Sequence, residues 1–102
     1  QLSVMEAAAC GIPVVCTDSG PSKELCDAGG GILIDCGDRS WNPENLNKIS
    51  EDIIKAVEYL RDNPNERKKM GLKGREFIEK NYTWDKWIPA WREFFLEGLK
   101  RA

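Results

Sequence analysis

Residues Ser3 to Gly20 constrain the fold more than any other stretch of this chain. The segment reads as helix, stop, buried strand and glycine turn. Ser3 to Cys10 carries Met5, Glu6 and three alanines, all strong helix formers. Gly11 stands where the helix should end, because glycine enters the left-handed cap conformation without strain. Pro13 forbids continuation. Val14, Val15 and Cys16 form a short apolar run suited to a strand buried on both faces. Asp18-Ser19-Gly20-Pro21 then punctuates the chain. Alanines leading straight into a buried strand call for close helix–sheet packing, as in a parallel α/β layer.

The 102 residues suffice for one small domain with a core. The chain begins at Gln1 in the middle of this pattern, so it reads as a fragment of a longer protein. A strand before Ser3 is expected to be missing, and the open sheet edge invites pairing with another chain. A net charge of -2 with 31% charged residues gives no electrostatic case for nucleic acid or an anionic membrane. No stretch reaches the apolar length of a membrane span. There is no histidine, which removes serine–histidine and cysteine–histidine catalytic sets. Cys10, Cys16, Cys26 and Cys36 are widely spaced without a C-x-x-C pair, so no metal site is expected. Cys10 and Cys16 sit in apolar contexts and read as small buried hydrophobes. A disulfide framework is the rival reading, and reduced cysteines suit an α/β cytosolic enzyme better.

After the turn, Ser22 to Ala28 reads as a short helix, with Pro21 near its start and Ser19 or Ser22 as its cap. Gly29-Gly30-Gly31 is expected to carry the chain from that helix into a second strand, Ile32-Leu33-Ile34. A phosphate-loop reading of these glycines lacks the Gly-Lys-Ser/Thr continuation. Asp35 to Pro43 is a loop in which Trp41 reads as a packing residue. Asn45 to Leu60 is an amphipathic helix, with Leu46, Ile49, Ile53, Ile54, Val57 and Leu60 on one face. Pro64 opens a short helix through Met70 that Gly71 stops, and Gly74 to Lys80 forms another with Phe77 and Ile78 inward. Thr83 caps a final helix whose stripe of Trp84, Trp87, Ile88, Trp91, Phe94, Phe95 and Leu99 is too large to leave in water. Pro89 inside it predicts a kink.

Glu6 is the residue most open to a functional role. By composition it reads as a solvated glutamate on the outer helix face. The sharper alternative is a polar anchor in a cleft, accepting two hydrogen bonds from a vicinal diol. The stretch LSVMEAAACGIPVVCTDSG resembles the core motif of retaining GT-B glycosyltransferases of family 4. There a Glu-x7-Glu pattern ends in Glu-Ala-x-Ala-Cys-Gly-x-Pro-Val-Val, and Glu6 falls on the second glutamate. The first would precede Gln1, which itself stands where the family often has glycine. The strings Asn63-Pro64, Arg67, Met70-Gly71 and Gly74-Arg75 resemble the family's tail.

The resemblance implies a partial Rossmann-like parallel sheet with flanking helices, the C-terminal half of a GT-B fold. Residues 1–82 would form the nucleotide-sugar-binding part. Residues 83–102 would form an aromatic helix packing back on the fold or on a missing N-terminal domain. The implied activity is retaining transfer of a hexosyl group from a nucleoside diphosphate sugar, in carbohydrate biosynthesis. Glu6, Ser3, Leu2 and Gly20 would bind the donor, with Glu6 on the ribose. No catalytic residue, metal or cofactor is assigned to this segment, which is expected to be inactive alone. Its partners would be the donor and, through the missing domain, a sugar or lipid acceptor. Nucleic acid is not expected, and the isolated fragment would self-associate. The location implied is cytoplasmic, with peripheral membrane attachment of the longer protein left open. The alternative is a Rossmann-like binding or interaction module without transfer activity.

Overall fold

The computed structural model describes residues 2–18, 20–37 and 42–102. The expectations placed on Gln1, on Ser19 as a cap and on Trp41 as a packing residue lie outside them. The elements in chain order are α1 (Leu2–Ala9), β1 (Val14–Thr17), α2 (Pro21–Asp27), β2 (Gly31–Ile34), α3 (Pro43–Asp62), α4 (Pro64–Asn81) and α5 (Trp84–Arg101). The expected partial Rossmann-like α/β architecture is present, mostly helical around a small parallel sheet.

Both short helices leave for their strands through the same device. The Gly11 N–H donates to the Ala8 carbonyl and the Ile12 N–H to the Ala7 carbonyl, both at 3.0 Å. At the end of α2 the Gly29 N–H donates to Cys26 at 2.9 Å and the Gly30 N–H to Leu25 at 3.0 Å. Each is the paired 5→2 and 6→1 pattern of a Schellman exit. Gly11 (φ 78°) and Gly29 (φ 90°) supply the left-handed residue that it requires. The three consecutive glycines therefore serve as a helix exit, as expected.

Strands β1 and β2 pair in parallel, Val14 opposite Gly31 and Thr17 opposite Ile34. Parallel neighbours need a crossover, and α2 supplies it. In the two strands of the described residues, Val14 is the one buried residue of β1 and Ile34 that of β2. The expected burial on both faces is thus incomplete. The core is Ala8, Val14, Leu25 and Ile78, with Val4, Met5, Ala7, Cys16, Phe77 and Tyr82 packed against it.

One boundary departs clearly from expectation. Gly71 does not stop a helix, because α4 runs unbroken through both Gly71 and Gly74. Both glycines are buried on the face that also buries Ile78. A Cβ on Gly71 would collide with the Gly11 carbonyl oxygen. A Cβ on Gly74 would lie 3.3 Å from the Gly30 Cα and 3.6 Å from the Ala8 Cβ. The two helix exits are thus pressed onto α4, and glycine there permits backbone contact.

The caps differ in detail. Helix α2 starts from Gly20, which has no side chain to offer, and Ser22 is buried in its first turn. Asn42 caps α3 by accepting from the Asn45 N–H at 2.7 Å. Thr83 takes the N-cap position of α5 without a side-chain cap bond. Helix α3 buries Ala56 and Leu60 but leaves Ile54 and Val57 more than half exposed. Helix α5 buries nothing, and its kink falls at Pro89, which lacks the N–H to bond the preceding turn. Its root is fixed to α4: the Trp87 Nε1–H donates to the Asn81 carbonyl at 2.6 Å, and the Trp87 ring stacks on Tyr82. No helix of the described residues is long and apolar enough to cross a membrane.

Candidate functional site

The faces of α1 are set by its sequence. Ala8 is fully buried, and Val4, Met5 and Ala7 lie half-buried beside it. Leu2, Ser3 and Glu6 are all exposed. Glu6 follows Ser3 by three residues and Leu2 by four, the spacings that bring helical side chains together on one side. The structure thus gathers three of the four candidate residues on one outward face.

Topology relates this face to the fourth. Helix α1 is joined to β1 by residues 10–13 and packs against it. The helix is about 12 Å long and the strand about 13 Å, so they match in span. A helix so connected runs back along its strand, and its start lies toward the strand's carboxyl end. That end leads through Thr17 and Asp18 to Gly20, which is exposed at φ 53° and opens α2. The Asp18 N–H donates to the Ile34 carbonyl at 3.1 Å, which fixes the turn's departure to β2. Open α/β layers bind ligands beyond the carboxyl ends of their strands. All four candidates are surface residues, so their arrangement is an open shelf.

Glu24, one turn into α2, has a partner that sequence reading did not find. The Tyr82 hydroxyl donates to its carboxylate at 3.0 Å, across 58 positions. The acceptor bond, then burial and the carboxylate charge, raise the Tyr82 phenol above its ordinary value. The contact ties α2 to the end of α4. A second unanticipated pair is Cys16 and Cys26, whose sulfurs lie 3.3 Å apart. Cys16 is only half-buried, and Cys10 is exposed at the end of α1, contrary to the expectation that both are buried. Cys10 follows the outward face of α1, on the same side as Glu6, which local apolar composition does not reveal. The described residues gather no group of three or more His, Cys, Asp or Glu side chains able to hold a metal ion.

Two concave apolar surfaces lie on α5. Trp84, Ile88, Trp91, Arg92, Phe95 and Leu96 line a hollow of about 460 Å³. Trp87, Ala90, Trp91 and Phe94 line another of about 240 Å³.

Residues 2–93 match the family described as Glycosyl transferase-like. The chain is 32% identical over 81 residues to a Corynebacterium glutamicum protein, a GDP-mannose-dependent monoacylated alpha-(1-6)-phosphatidylinositol monomannoside mannosyltransferase. That match covers 79% of this chain and 18% of the relative. It is 33% identical over 84 residues to sucrose synthase 3 of Arabidopsis thaliana, covering 81% of this chain and 10% of that protein. The chain therefore corresponds to less than a fifth of each of these relatives' lengths. No solved structure matches it significantly. With the family match spanning nearly every element of the α/β layer, the chain belongs to the glycosyl transferase-like family of glycosyltransferases.

Proposed function

We propose that the chain supplies part of the donor site of a retaining GT-B glycosyltransferase. The reaction is transfer of a hexosyl group from a nucleoside diphosphate sugar to a sugar or lipid acceptor. The observation that most supports this reading is the outward face of α1, which carries Leu2, Ser3 and Glu6 toward the carboxyl end of β1.

Each residue then has a chemical role. The Glu6 carboxylate accepts two hydrogen bonds from the ribose diol, which fixes the nucleoside. The backbone N–H groups of Leu2 and Ser3, on the same face as Glu6, are assigned to the diphosphate. The turn at Gly20 closes the shelf from the other side. Such fixed donors stabilise the charge that grows on the departing diphosphate. We assign no catalytic residue to this chain; the reacting groups belong to other parts of a longer protein, without which the segment is inactive. Residues 1–82 are the donor-binding layer. Residues 83–102 are a helix whose aromatic face packs on the domain across the cleft.

The donor panel follows from the relatives. The corynebacterial protein is GDP-mannose-dependent by name, so guanosine donors come first, then uridine and adenosine donors. Calorimetry of the full-length protein is expected to find binding to donors of one base and a clear loss with Glu6→Ala. Equal binding by both proteins, or none to any donor, would instead favour a module without transfer activity.

A further inference from the structure

We propose that Cys16 and Cys26 form a reversible disulfide, a redox modification site that locks β1 to the last turn of α2. The pair comes from two elements. Cys16 stands on β1 opposite Leu33 of β2, and Cys26 is the penultimate residue of α2. Their sulfurs face each other at 3.3 Å, already in contact, and both residues are half-buried. A disulfide needs about 2.0 Å, so the sulfurs must close by roughly 1.3 Å, within reach of small side-chain rotations. The space is reserved by glycine: a Cβ on Gly31 would lie 3.2 Å from the Cys26 sulfur. The other thiols are placed differently. The Cys36 thiol faces the Ile34 carbonyl at 3.9 Å, and Cys10 is exposed beyond the opposite end of β1.

The two thiols are chemically unequal. The Cys26 thiol is pushed up to about 12, by burial first, then by its hydrogen bond to Cys16 and by the charges of Cys16 and Asp27. Cys26 therefore stays protonated at neutral pH, and exchange begins at Cys16. The oxidant is a low-molecular-weight disulfide. The Cys16 thiolate attacks one of its sulfurs, forming a mixed disulfide and expelling one small thiolate, which takes up a proton. Cys16 is then neutral, so its hydrogen bond and charge no longer hold the Cys26 proton; burial still does, which makes deprotonation of Cys26 the slow step and favours it at higher pH. Cys26 loses that proton to solvent and attacks the Cys16 sulfur. The mixed bond breaks and the second small thiol leaves. Two protein thiols are oxidised and one small disulfide is reduced to two thiols. The bond spans ten positions and encloses Gly20, so it restrains the turn between β1 and α2.

The test is a peptide map of the full-length protein after incubation with oxidised glutathione and acid quenching. The expected product is one cross-linked species joining the Cys16 and Cys26 peptides, lighter than the two thiol peptides by two hydrogens and reversed by dithiothreitol. Its formation should quicken as pH rises from 7 to 9. In Cys26→Ser the Cys16 adduct should persist as a mixed disulfide. Cys10 serves as the internal control, because its exposed thiol reports that the oxidant acted. Cys16 and Cys26 recovered as free thiols, or only as separate adducts, while Cys10 is modified would overturn the proposal.

Discussion

Gly71 and Gly98 are both glycines inside helices, and their surroundings give them opposite roles. A methyl group on Gly71 meets the Gly11 carbonyl oxygen, which is backbone and cannot rotate away. Overpacking of this kind costs about 1–3 kcal/mol, more than the roughly 1 kcal/mol that alanine gains over glycine in a helix. Gly98 on α5 has nothing within 4 Å of such a methyl group, so only the helix gain remains. Denaturant unfolding should therefore show Gly71→Ala destabilised and Gly98→Ala stabilised by about 0.5–1 kcal/mol. Equal effects of the two substitutions would contradict the close approach of α4 to the Gly11 turn. At the same scale, helical spacing puts Glu6 beside Leu2 and Ser3, whereas its assignment to the ribose rests on the resemblance of the surrounding motif. The Cys16–Cys26 contact was not, since no local pattern says which face of α2 meets β1.

Among the elements, legibility followed the range of the forces that fix them. The ends of α1 and α2 depend on one glycine each and on hydrogen bonds three and five residues back, so sequence reading placed them well. The two strands were recognisable from short apolar runs between glycine turns. Helix α4 was misread as two helices because its glycines look like stops in a local window. Their actual partners, Gly11 and Gly30, lie more than forty residues away. The Tyr82–Glu24 bond is equally non-local, and it makes a prediction about how α2 is held. The neutral phenol donates to the carboxylate, and ionising it would set two negative charges side by side. The folded-state phenol therefore lies above the ordinary value near 10, with the acceptor bond as the main cause. The bond's contribution is complete below that value and fades as pH rises through the higher folded value. Ultraviolet titration should show one tyrosine ionising late, and Glu24→Gln should return it toward the ordinary range. An unchanged titration curve would mean that the bond does not persist in solution.

The whole molecule is long for its size. Its radius of gyration is 17.2 Å and its extents are 53 × 35 × 18 Å. A compact chain of this length has a radius of about 13 Å. The excess comes from α5, which projects from its root at Trp87 and leaves Trp84 78%, Phe94 66% and Phe95 61% exposed. Among the described residues, the rings of Trp91, Phe94 and Phe95 meet one another along their own helix, with ring centres 5.6–5.9 Å apart. An apolar face of this size held in water drives association. The 102-residue chain studied alone should sediment as a concentration-dependent oligomer, and Trp91→Glu with Phe95→Glu should return it to monomer. A monomer at all concentrations would remove the reason for assigning α5 to a partner surface.

The central claim is that the outward face of α1 grips the ribose of a sugar nucleotide through Glu6. The most direct measurement is a double cycle by calorimetry on the full-length protein. It compares wild type with Glu6→Ala, each against the natural donor and against a donor lacking the ribose 2′ and 3′ hydroxyls. Hydrogen bonds to a charged group contribute about 1.5–3 kcal/mol. Losing the Glu6 carboxylate should therefore weaken natural-donor binding roughly tenfold to a hundredfold or more. The same substitution should leave the affinity for the dideoxy donor unchanged. Equal losses for both donors, or none for either, would contradict the assignment of Glu6 to the ribose.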